Sequence, residues 1–193
     1  MNSIRAFIAL DLSPGSRHAI AKVIRRLEPR FPGIKWINAE QLHLTLHFLG
    51  DVLFSDINRV CSVAREAAEE IPPFSIHLKG LGAFPDMKSP RVIWVGVEQG
   101  HLPLVELQSA LKGPLGEMGY PSDKNVFKPH ITVGRVKRSG DLMDLQEQVA
   151  KYESSDFGVT AVDELTVYES QLNRGGPDSV SYTHLRAHET PMY

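Results

Sequence analysis

Two short segments of this chain carry residues that can move protons and grip an anion: His43-Leu44-Thr45-Leu46 and His130-Ile131-Thr132-Val133. An imidazole titrates near neutral pH, so two of them aimed at one point can supply both a base and an acid. A threonine hydroxyl beside each adds a hydrogen-bond donor for a phosphate oxygen and calls for no metal. Residues two apart on a strand share a face, so each segment presents its imidazole and hydroxyl together. The intervening Leu44, Leu46, Ile131 and Val133 then anchor the opposite face in a core. The pattern His-x-Thr alone means little, because a third copy, His188-Glu189-Thr190, runs straight into Pro191 with no apolar alternation around it.

What sets the first two copies apart is their place in a duplicated order of elements. Ile4 to Leu10 reads as a buried strand, and Ser13-Pro14 as a cap with proline at the first helical position. Ile20, Val23, Ile24 and Leu27 follow at helical spacing. Residues 42–49 read as a strand with Leu42, Leu44, Leu46 and Phe48 on one face, ended by Gly50. A second helix presents Ile57, Val60, Cys61, Ala64, Ala67, Ala68 and Ile71 inward and stops at Pro72-Pro73; a strand with Phe74, Ile76 and Leu78 follows. The order then begins again: strand 92–97, a helix marked by Leu104, Leu107, Leu111, Leu115 and Met118, strand 130–136, a helix marked by Leu142, Leu145, Val149 and Tyr152, and strand 165–168. A shift of 87 residues, the separation of His43 and His130, lays 4–12 on 91–99, 55–70 on 142–157 and 74–82 on 161–169. The expected class is α+β, with two β-α-β-α-β lobes, antiparallel sheets and a pseudo-twofold that faces the two His-x-Thr segments toward each other.

Composition sets further bounds. The 193 residues, 42% hydrophobic and 23% charged, suit one globular domain. A formal net charge of −2 argues against a protein that holds nucleic acid along an extended phosphate tract. The single cysteine, Cys61, excludes a disulfide framework and reads as a small core residue. The first residues run directly into a strand pattern with no leader-like apolar stretch, and no run approaches a membrane span, so a cytoplasmic monomer is expected. His47 shares parity with His43, but strand residues four apart lie about 13 Å from each other, too far to chelate one ion. His47 is therefore expected at the rim of the site, and His18, His77 and His101 at the surface without partners.

The opening Arg5-Ala6-Phe7-Ile8-Ala9-Leu10, the segment His43 to Gly50 (HLTLHFLG) and the segment Pro129 to Arg135 (PHITVGR) resemble the two-histidine phosphoesterase superfamily, and within it the bacterial and archaeal RNA 2′,3′-cyclic phosphodiesterases. The likeness runs from about residue 3 to about 177. It implies a bilobal α+β fold with both motifs lining a central cleft, no cofactor and no metal. The implied activity opens a terminal cyclic phosphate of RNA to a 2′-phosphate, and some family members join or cleave 2′–5′ linkages. His43 would donate a proton and His130 accept one, roles that the matched motifs by themselves leave open. Thr45, Thr132 and Arg135 would hold the phosphate. Strict alternation puts Arg135 on the face opposite His130, so a bulge or the strand end must redirect it. Phe7 and Phe48 are candidates to stack on a base, with core packing as the plainer expectation for both, and Trp36 is expected in the core or the cleft wall. The substrates to weigh are RNA ends, then small cyclic or 2′–5′ nucleotides; a nucleotide-binding module without turnover is the third reading.

The resemblance fails at the end. The phosphoesterase domain is assigned to residues 1–178, and 179–193 are set aside as an atypical, foreign or frame-shifted tail: Tyr182 and Leu185 partly suit a last strand, but 186–193 do not.

Overall fold

Alternating apolar residues build strands, and the computed structural model describes residues 2–138, 142–173 and 176–186. In chain order the elements are β1 (Ser3–Asp11), α1 (Pro14–Leu27), β2 (Ile34–Trp36), β3 (His43–Leu53), α2 (Ile57–Glu70), β4 (Phe74–Phe84), β5 (Val92–Gln99), α3 (His101–Glu117), β6 (His130–Val136), α4 (Leu145–Ala150), β7 (Asp156–Val162), β8 (Glu164–Asn173) and β9 (Gly176–Arg186). The expected cap of α1 is present: the Ser16 amide donates to the Ser13 hydroxyl at 3.2 Å, with Pro14 in the first turn. No helix among the described residues is long and apolar enough to cross a membrane.

Every strand pair is antiparallel, and the sheet runs β7-β4-β5-β6-β3-β1-β8-β9, with β2 added alongside β6. The two repeats exchange strands. β4, the last strand of the first repeat, pairs with β5 of the second, and β8 of the second pairs with β1 of the first. Each half of the sheet therefore needs both repeats to form.

The halves join where Leu44 of β3 pairs with Ile131 of β6. Both side chains are fully buried, alongside Ile8, Ile93 and Val95 of the neighbouring strands and Leu104 and Leu111 of α3. Leu44 and Ile131 are themselves 87 residues apart, so the pseudo-twofold passes between them. The shift of 87 also sets Pro14 of α1 on His101 of α3, but it drifts in the strands away from the join. Matched through their partners, Trp94 stands where Ala9 does, 85 residues on, and Tyr168 where Phe84 does, 84 on.

Two further expectations are corrected. The helix expected over 142–157 is only the six residues of α4, because Asp156 to Val162 alternates as strand β7 and pairs with β4. β9 crosses the boundary drawn at 178: it pairs with β8 from Asn173↔Gly176 to Glu164↔Arg186, so 179–186 lie in the sheet. Residues 187–193, including the third His-x-Thr, lie outside the described residues.

Leu44 is fully buried at the join. Leu44→Ala is expected to cost about 2–5 kcal/mol in urea unfolding; a loss below about 1 kcal/mol would show that the join does not depend on this pair.

Candidate active site

The Leu44–Ile131 pairing fixes how the motifs meet. Carried one residue either way, the antiparallel register sets His43 opposite Thr132 and Thr45 opposite His130. The motifs are crossed: continued outward from this one pair, the register brings each histidine toward the threonine of the other repeat. All four are half-buried, on the face opposite Leu44, Leu46, Ile131 and Val133.

A matching β-bulge follows each motif. Thr45 pairs with Ala9 and His47 with Ile8, leaving Leu46 unpaired; Thr132 pairs with Trp94 and Gly134 with Ile93, leaving Val133 unpaired. One extra residue reverses the parity of everything beyond it. Arg135, which alternation alone would turn away, thereby comes onto the same face as His130 and Thr132, level with Val92. Its repeat equivalent, Phe48, joins the face of His43 and Thr45 and is 55% exposed, in place of the core position that simple alternation gave it. His47 is turned the other way and buried, not at the rim; its Nε2–H donates to the Tyr120 carbonyl at 2.8 Å. At the equivalent place in β6 stands Gly134, where a Cβ would come within 2.8 Å of Ile34.

Each histidine is held from behind by the backbone two residues earlier. His130 Nδ1–H donates to the Lys128 carbonyl at 2.7 Å, and His43 is bonded to the backbone of Gln41. A carbonyl only accepts, so Nδ1 of His130 carries the proton and Nε2 is its titrating nitrogen. The rings are packed as well. Phe84 meets His130 edge-on at 4.9 Å, and Phe7 and Tyr168 stack on His43 at 4.9 and 5.9 Å. Phe7 is 6% exposed and spends its ring on this cluster, which leaves Phe48 as the member of the pair that faces solvent. Trp36 is buried, its Nε1 donating to the Phe31 carbonyl.

Burial pushes both imidazoles below their ordinary value. For His43 the Gln41 backbone and the Asp11 carboxylate act upward, and Arg135 and Arg17 downward. For His130 the Lys128 backbone acts upward and Arg135 downward. Arg135 thus influences both histidines, as a residue on their common face should. Sequence reading passed over Asp11, Arg17, Phe84 and Tyr168, which lie far from the motifs in the chain; only pairing brings them in. It also left His77 without a partner, whereas its ring nitrogens contact Glu98 and Asp156, each at 3.0 Å.

A family model for the 2′-5′ RNA ligase superfamily matches residues 15–174. The chain belongs to that superfamily. Among superfamily members, an RNA 2′,3′-cyclic phosphodiesterase of Archaeoglobus fulgidus is 36% identical over 187 residues, covering 96% of this chain and 100% of the relative. A crystal structure from Thermus thermophilus superposes with a TM-score of 0.80 at 26% identity, covering 95% of this chain and 97% of that one. Escherichia coli LigT complexed with 3′-AMP gives a TM-score of 0.76 at 25% identity, over 96% and 99% of the two chains. The α+β class, the antiparallel sheet and the superfamily assignment expected from the two motifs therefore hold.

Removing the Arg135 charge is expected to raise the NMR titration midpoints of both histidines in Arg135→Gln, since its charge now opposes both imidazolium forms. A midpoint that moves for only one histidine would contradict the placement of Arg135 on their common face.

Proposed function

We propose that this chain is an RNA 2′,3′-cyclic phosphodiesterase that opens a terminal cyclic phosphate to a 2′-phosphate by metal-independent acid–base catalysis. The observation that carries the proposal is the crossed register at the join, with the imidazoles and hydroxyls of both motifs on the face opposite the buried Leu44 and Ile131. The names of curated relatives, RNA 2′,3′-cyclic phosphodiesterases 33–36% identical to this chain over nine-tenths or more of its length, support the substrate class. His130, neutral at Nε2, takes a proton from water as that water attacks phosphorus. The bond to the 3′-oxygen breaks, and His43, protonated, delivers its proton to that oxygen. Thr45 and Thr132 donate to the non-bridging oxygens, and Arg135 offsets their growing charge. Phe48 is placed for a base to stack on it. The net charge of −2 favours a grip on the RNA end over one along the strand. E. coli LigT, complexed with 3′-AMP, keeps a small nucleotide as the second reading.

Turnover of a cyclic-phosphate-ended oligonucleotide is expected to fall by about 10²–10⁴ in His43→Ala and in His130→Ala, and to survive a chelator in the wild type. Near-wild-type rates in either variant would overturn the two-histidine reading, and loss of activity with chelator would overturn metal independence. Because both imidazoles titrate below their ordinary 6.5, kcat/KM is expected to peak on the acid side of neutrality. It falls at lower pH as His130 gains a proton and at higher pH as His43 loses one.

A further inference from the structure

The two His-x-Thr motifs are alike, yet the roles proposed for their histidines are opposite, and the residues paired with each histidine differ. Across β1 the register puts Asp11 opposite His43. Across β5 it puts Gly96 opposite His130. Gly96 is structurally required: a Cβ there would lie 2.9 Å from the Lys79 carbonyl oxygen and 3.2 Å from the Trp94 ring. The carboxylate further along β5, Glu98, is engaged by Lys79 and His77.

Asp11 is held in place from three sides. The Tyr168 hydroxyl donates to Oδ1 in a short hydrogen bond, the Thr166 hydroxyl donates to Oδ2 at 3.4 Å, and Arg17 Nη2 lies 4.0 Å from Oδ1. These partners also touch the surroundings of His43. The Tyr168 ring stacks on it, and Arg17 donates to the Ala39 and Glu40 carbonyls in the turn that leads to Gln41 and His43. The charged and titratable groups around His43 are thus Asp11 on β1, Arg17 on α1, Tyr168 on β8, and Arg135 and His130 on β6.

We infer that Asp11 is a positioning residue that assigns the proton-donor role to His43: its carboxylate, fixed by Tyr168, Thr166 and Arg17, stabilises the imidazolium of His43, while His130 faces a glycine. The inference rests on the two-histidine reading above. Asp11 does not touch the phosphate; it acts through His43. The effect is moderate, because its side chain is 41% exposed and partly screened.

The test is the pH dependence of kcat/KM on a nucleoside 2′,3′-cyclic phosphate for wild type, Asp11→Asn and Asp11→Glu, with NMR titration of His43 in each. In Asp11→Asn the alkaline limb is expected to move to lower pH by roughly half a unit, together with the His43 midpoint, while the acid limb stays. Asp11→Glu is expected to restore both. Tyr168→Phe, which removes the hydroxyl and keeps the ring, is expected to shift the alkaline limb the same way by less, and serves if Asp11→Asn fails to fold. An alkaline limb and a His43 midpoint that stay in place in these variants would overturn the role of Asp11. His43→Ala separates the two levels. If it is inactive while the limb does not move, only the assignment to Asp11 falls; if it retains turnover, the two-histidine reading itself falls.

Discussion

Leu44 and Ile131, equivalent residues of the two repeats, pair with each other at the join between β3 and β6. Because side chains alternate along a strand, burying this pair forces the residues on either side of it to the opposite face. Those residues are His43, Thr45, His130 and Thr132. A slip of one residue at the join would bury the histidines and expose the leucine and isoleucine, so hydrophobic burial itself sets the register of the polar site. Strand exchange reinforces the constraint, since β4 and β8 each complete the half-sheet begun by the other repeat.

A second constraint acts just beyond the motifs. Leu46 and Val133 are both buried and each is skipped in the pairing with the neighbouring strand, β1 or β5, and each bulge turns the residue two positions on toward the site. The repeat thereby places an aromatic ring, Phe48, on one side and a guanidinium, Arg135, on the other. Similar backbones thus carry dissimilar groups. The same asymmetry recurs across the next strands, where Asp11 faces one histidine and Gly96 the other.

Much of this was legible in the residues. Apolar alternation and the repeat put His43 and His130 on equivalent strands and gave the antiparallel α+β class, because burial on one face leaves a period of two in the chain. The need for a bulge before Arg135 was also legible, since a residue five beyond His130 falls on the wrong face without one. The bulge before Phe48 was missed: Leu46-His47-Phe48 continues the alternation in letter, and only the pairing with β1 shows that Leu46 is skipped. That one unpaired residue accounts for both the exposure of Phe48 and the burial of His47. The β7 strand was hidden by leucines at helical spacing upstream. Asp11, Tyr168 and Phe84 left no local signal, since their relation to the histidines exists only across strands far apart in sequence.

On the proposed reading the crossed motifs form one anion site rather than two. It can be read directly by titrating inorganic phosphate into protein carrying ¹⁵N-labelled histidine and following the Nε2 resonances. One site between the motifs predicts that His43 and His130 respond together with a single dissociation constant, and that the titration midpoints of both rise when phosphate is bound. Two different constants, or a response at one histidine alone, would contradict it.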